Sequence, residues 1–150
     1  MRDALLIVHI IAVSLWLGGS VMNGLLNAKL AAAGTVEANA YLARAETKLG
    51  MQFYMPMGVL TLLTGVGLVL DSDTYSFSDP FVSMGFLAII VAAALGPLKF
   101  EPLSEKIASA YEAGDATAAQ ESTKQIAMWS AIDTLLIVVA LAMMVLKTGA

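Results

Sequence analysis

Residues 4–28 read ALLIVHIIAVSLWLGGSVMNGLLNA, a run without a single charged side chain. Crossing ~30 Å of hydrocarbon takes about 20 predominantly apolar residues, so this stretch is long enough to span a bilayer as one helix. Three more stretches of the same kind follow, 49–70, 80–98 and 125–146; across all four there is no Lys or Arg and only one acid, Asp133. The pattern predicts an all-α chain, a transmembrane four-helix up-and-down bundle forming a single integral membrane domain over 1–150, with the lipid bilayer as its first partner.

Composition bounds the alternatives. With 59% hydrophobic residues and a mean hydropathy of +0.80, too little polar surface remains to cover a separate soluble domain. The absence of cysteine excludes disulfides and thiolate metal sites. A pI near 4.7 and the lack of a basic patch exclude nucleic acid as a partner. A cleaved signal peptide, with Arg2 as its basic end and Ala31-Ala32-Ala33 as its small-residue site, fits badly: the stretch before Lys29 exceeds a secretory apolar segment and contains Trp16, Asn23 and Asn27.

Charge sets the orientation. Lys29, Arg44 and Lys48 lie between spans one and two, and Lys99, Lys106 and Lys124 at the end of span three or between it and span four. Only Arg2 and Lys147 sit at the termini, and 71–79 has no cation. By the positive-inside rule the protein is expected in a bacterial inner membrane, multi-pass, with both longer connections cytoplasmic and both termini and 71–79 periplasmic. The connections are rich in Ala, Glu, Lys and Leu over 35–49 and 103–113, which predicts cytoplasmic helical extensions. Gly34 and Gly114 are the expected breaks, Asp115 a cap for the last helix, and Pro80 the start of span three. Small residues recur every four positions, Ser20, Gly24, Ala28 and Ala32 on the first helix and Ala88, Ala92 and Gly96 on the third. Such stripes serve close packing within the molecule or a homodimer.

In lipid the few polar residues need a reason. His9, the only histidine, stands about 9 Å along the helix from Asp3 at a rise of 1.5 Å per residue, below the outer surface. Trp16 and Asn23 follow at intervals of seven, on the same face. The stripe is expected to line the interior, with His9 as a hydrogen-bonding residue, a metal or haem ligand, or a proton relay. Asp133 lies in the cytoplasmic half of span four, where a charged carboxylate costs about 2.5–3.5 kcal/mol. It is expected to be neutral or paired within an interior network that includes Asn23, Lys99 and Trp129. Met84, Met143 and Met144 fall near the depth of His9. His with Met is a known axial pair for haem, and thioethers suit monovalent copper, so His9 and Met84 are candidate metal ligands and His9, Trp16, Met143 and Met144 candidate cofactor residues.

The run Val8-His9-Ile10-Ile11-Ala12-Val13-Ser14-Leu15-Trp16-Leu17-Gly18-Gly19 resembles the first-helix signature of small bacterial membrane families: copper-resistance D-like proteins, HemJ-type protoporphyrinogen oxidases, and an uncharacterised group of predicted four-helix integral membrane proteins. Met55 to Gly65 is similar to their second-helix pattern from Pro to Gly. The HemJ-type resemblance implies haem b held through His9, the copper-resistance resemblance implies copper, and the third implies fold and location only. Two function classes follow. One is a haem- or metal-binding membrane protein centred on His9; the other is a transport or scaffold protein organised around Asp133 without a cofactor. No nucleophile–base pair, phosphate loop or metal-ligand spacing assigns a reaction.

Overall fold

In the computed structural model, which describes residues 1–147 apart from the side chains of Ala31 and Ala33, all the regular elements are helices. They are α1 (Arg2–Ala33), α2 (Val36–Leu49), α3 (Met55–Leu70), α4 (Pro80–Leu95), α5 (Glu101–Glu112) and α6 (Ala116–Leu146). Gly50–Tyr54 joins α2 to α3, and Gly96–Phe100 joins α4 to α5, without interrupting the helix. The chain therefore makes four long rods, each long and apolar enough to cross a membrane.

The expected punctuation is present and has local causes. Gly34 stops α1, its N–H bonded to the Leu30 carbonyl at 2.7 Å, and the Thr35 hydroxyl caps α2 by accepting from the Ala38 N–H. Gly114 takes a left-handed φ of +74°, and the Asp115 carboxylate caps α6 through the Ala118 N–H at 3.0 Å. Pro80 is the first residue of α4, where its missing N–H costs nothing. Between α3 and α4 the Ser72 hydroxyl and the Asp79 carboxylate accept from loop N–H groups and fold the 71–79 segment into turns.

The two joining segments are wide turns in which the N–H five residues on bonds back to a glycine carbonyl, Met55 to Gly50 and Glu101 to Gly96. In both, a proline is the next residue, Pro56 and Pro102. A proline ring inside a regular helix collides with the carbonyl four residues earlier, and a locally wider turn moves that carbonyl aside.

α1 runs antiparallel to α3 and the C-terminal part of α2. Along it Arg2 meets Asp71, Leu5 meets Gly67, His9 meets Gly65, Trp16 meets Gly58 and Gly19 meets Phe53, and Asn23 meets Glu46. α4–α5 runs antiparallel to α6, with Met144 against Gly85 and the Lys99 ammonium 5.2 Å from the centre of the Trp129 ring. Both described chain ends and the 71–79 loop thus share one end of the molecule, called here the loop end. At the opposite end α2 packs on α5 through Ala43, Ile107 and Ala108, and Arg44 clasps both oxygens of Glu112. The central core is Val13, Trp16 and Ile137. Around the middle of the rods large apolar side chains point outward, Leu63 63%, Ile90 64% and Leu135 62% exposed, the inverse of a water-facing surface.

Candidate functional site

The stripe His9–Trp16–Asn23 lies along the α2–α3 rod, as its seven-residue spacing requires. His9 reaches α3, where its Nδ1 is 3.1 Å from the Thr61 carbonyl oxygen and 3.0 Å from the Thr64 hydroxyl oxygen. A carbonyl only accepts, so Nδ1 carries the proton. The Thr64 hydroxyl sends its own proton to the Leu60 carbonyl at 2.6 Å and offers the imidazole a lone pair. This fixes the tautomer: Nε2 holds a free electron pair and has no protein partner among the described residues.

His9 forms part of the wall of a cavity of about 320 Å³ between α1, α3, α4 and α6. Its walls are apolar, from Leu6, Val66, Phe86 and Ile89 among others, and Met144 lines it from α6. Trp16, 8% exposed, stands at its inner limit with Val13 and Ile137. At the loop end the mouth is formed by Arg2, Tyr75 and Lys147, which come from the two chain ends and the 71–79 loop. Of the sequence-derived candidates the cavity gathers His9, Trp16 and Met144; Met84 and Met143 do not line it, because neighbouring helix positions face about 100° apart.

The interior network expected around Asp133 is not formed as predicted. Asn23 turns instead to Glu46, whose Oε1 accepts its amide at 3.0 Å. Asn27 donates to the same oxygen, and the Ser104 hydroxyl reaches the second at 3.4 Å. Burial is the largest influence on the Glu46 carboxyl and pushes it above the usual range, the three hydrogen bonds pulling the other way. Lys99 lies over Trp129, as a long cation at an apolar edge does. Asp133 is 6% exposed, its Oδ1 without a hydrogen-bond partner. The phenol of Tyr54, beside Ser20, is within electrostatic reach of both Glu46 and Asp133. The polar residues therefore divide into a group at His9 toward the loop end and a group at Glu46 toward the opposite end, with the Trp16 core between them.

Reading the sequence for its polar residues missed Glu46, Thr64 and the mouth residues. Asn23 and Asn27, one turn apart, held a signal for an acceptor on another helix. Arg2 and Lys147 entered only as charges to be counted. No three His, Cys, Asp or Glu side chains converge as a metal-holding group among the described residues. Comparison with protein-family models, with curated proteins and with solved structures finds no match for this chain.

Proposed function

We propose that this chain is a multi-pass inner-membrane protein, an up-and-down bundle with both termini and the 71–79 loop periplasmic, that binds haem b in the outer cavity through Nε2 of His9. The four rods exceed the thickness of hydrocarbon: 35 residues from Val36 to Leu70 and 33 from Pro80 to Glu112 reach about 50 Å at 1.5 Å per residue. The outward apolar side chains and the six cations at or between the cytoplasmic span ends support the same placement.

The observation behind the haem reading is the tethered imidazole. Ligating histidines characteristically donate the second ring nitrogen to a carbonyl or carboxylate, which orients the ring and raises its basicity. Here the Thr61 carbonyl and the Thr64 hydroxyl do this, and the remaining nitrogen belongs to a residue lining an apolar cavity. The donor set favours haem over copper. Haem takes one or two donors from the protein, which His9 and Met144 would provide; copper needs several soft donors together, and Met84 and Met143 lie off the cavity. At about 320 Å³ the space is at the lower end for ligand sites. Seating a porphyrin would therefore require the flexible Leu6 side chain to move aside and the Met144 side chain to turn its thioether toward the space. The first-helix resemblance to HemJ-type proteins points the same way. Bound haem would supply one-electron chemistry; the chain's own residues bind it, orient it and keep water from it.

Purified protein reconstituted with haemin tests this reading. A Soret band at one haem per chain, lost in His9→Ala and shifted in Met144→Leu, is expected. Unaltered binding in His9→Ala would refute it. A colourless wild type would instead favour the transport or scaffold reading, whose support is the buried, unpartnered oxygen of Asp133.

A further inference from the structure

At the cavity mouth two cations share one aromatic ring. The Arg2 guanidinium carbon is 5.9 Å from the centre of Tyr75 and the Lys147 ammonium 5.6 Å from it. No acidic side chain pairs with either among the described residues, where the one ion pair is Arg44 with Glu112. Arg2 reaches only the backbone carbonyl of Asp71, at 3.4 Å, and Asp79 is committed to the N–H of Ser76. Lys147 takes a left-handed backbone, φ 48°, that ends α6, a conformation a non-glycine residue adopts at some cost. Two like charges around one ring repel each other unless an anion stands with them. The ring attracts both cations but neutralises neither.

We infer that Arg2 and Lys147, held on Tyr75, form an oxyanion clamp for the acidic group of a ligand whose apolar body fills the cavity above Trp16. Tyr75 serves as its support. The ligand class is an anionic amphiphile, with its carboxylate or phosphate oxygens at the mouth and its apolar part directed inward past Leu6 and Val66 toward His9. Arg favours such oxygens bidentately and Lys as a point charge. The inference deepens the haem proposal, since haem b has two carboxylates on an apolar ring, but it also holds if the occupant is an acidic lipid of the outer leaflet.

The test uses full-length protein in nanodiscs of phosphatidylcholine, comparing wild type with the double variant Arg2→Gln/Lys147→Gln and the charge-preserving Arg2→Lys/Lys147→Arg. Haemin, its dimethyl ester and phosphatidylglycerol are the probes. Haemin affinity is expected to fall at least about tenfold in the Gln variant, equivalent to about 1.4 kcal/mol, and to return in the charge-preserving one. The ester is expected to bind wild type and Gln variant alike. Should wild type bind no haemin, the haem proposal fails alone, and retention of phosphatidylglycerol by wild type but not by the Gln variant upholds the clamp with lipid as its source. Equal binding of acid and ester to wild type, an unchanged haemin affinity in the Gln variant, or retention of neither probe by wild type overturns it. His9→Ala separates the two failures, because it removes the Soret signature while leaving the clamp intact.

Discussion

Replacing Glu46 by leucine isolates the polar group around it. Its carboxylate accepts from Asn23 at 3.0 Å, from Asn27 and weakly from Ser104 at 3.4 Å. Asn27 has a second acceptor, the Asn23 carbonyl at 3.1 Å, so the Asn23 amide is the donor left stranded. A buried donor without a partner costs about 1–3 kcal/mol, and weakening the other two contacts adds about 1. The leucine recovers about 1 kcal/mol of apolar burial at a half-buried position. Glu46→Leu should therefore lose about 1–3 kcal/mol, read as a lower midpoint in detergent-denaturation curves, whereas Glu46→Gln keeps an acceptor and should lose less than about 1. Pairing each with Asn23→Ala closes a double-mutant cycle whose coupling should exceed about 0.5 kcal/mol. Glu46 lies just outside the 49–70 span, and its raised carboxyl also fixes a pH dependence. Burial favours the protonated form in the folded protein, so its stabilising contribution is complete below the ordinary glutamate range and is lost as pH rises through the higher folded value. Glu46→Gln should flatten that slope. A leucine variant as stable as wild type, or a pH slope identical in Glu46→Gln, would refute the reasoning.

Three other outcomes are expected. A methyl group on Gly34 would stand 2.6 Å from the Leu30 carbonyl oxygen, backbone that cannot swing away, so Gly34→Ala should destabilise the fold by more than about 1 kcal/mol, read as a lower melting midpoint; an unchanged midpoint would remove the close approach as the cause of the glycine. Because the chain has no cysteine, Ser76→Cys should react in intact cells with a membrane-impermeant thiol reagent and Lys106→Cys only after lysis, the opposite pattern inverting the topology. Asp133→Leu removes a buried, unpartnered oxygen and should leave stability unchanged or raise it; a loss above about 2 kcal/mol would mean that the carboxyl has a partner.

The four long apolar helices, the breaks at Gly34 and Gly114 and the polar face of α1 were legible because each depends on residues within a turn or two of one another. Facing residues on other helices were not, since they depend on register over sequence separations such as the 55 positions between His9 and Thr64. Asn23 shows the difference. Its own face was correct, yet the carboxylate it meets is Glu46, in a segment whose Ala, Glu and Lys content reads as a solvated extension, and not Asp133.

The wide turns explain why counting along the helix from α3 does not reach Glu46. The α3 positions that face α1 are Gly65, Thr61 and Gly58, and a period of 3.6 continues that face back to Tyr54, then to about residue 51 and Thr47. Opening one turn at Gly50–Tyr54 takes up an extra residue and moves the face by one position, which sets Glu46 against Asn23 and leaves the Thr47 hydroxyl buried without a partner. The sequence does contain a mark of this shift. Glycine followed six residues later by proline occurs at Gly50 and Pro56 and again at Gly96 and Pro102, and both pairs frame a wide turn. The proline supplies the steric reason to widen the helix, and the glycine, with no side chain to crowd its neighbours, supplies the carbonyl that closes it. A helical wheel drawn straight through either pair misplaces every residue beyond it by about 100°, and that is enough to exchange the buried acid for its neighbour.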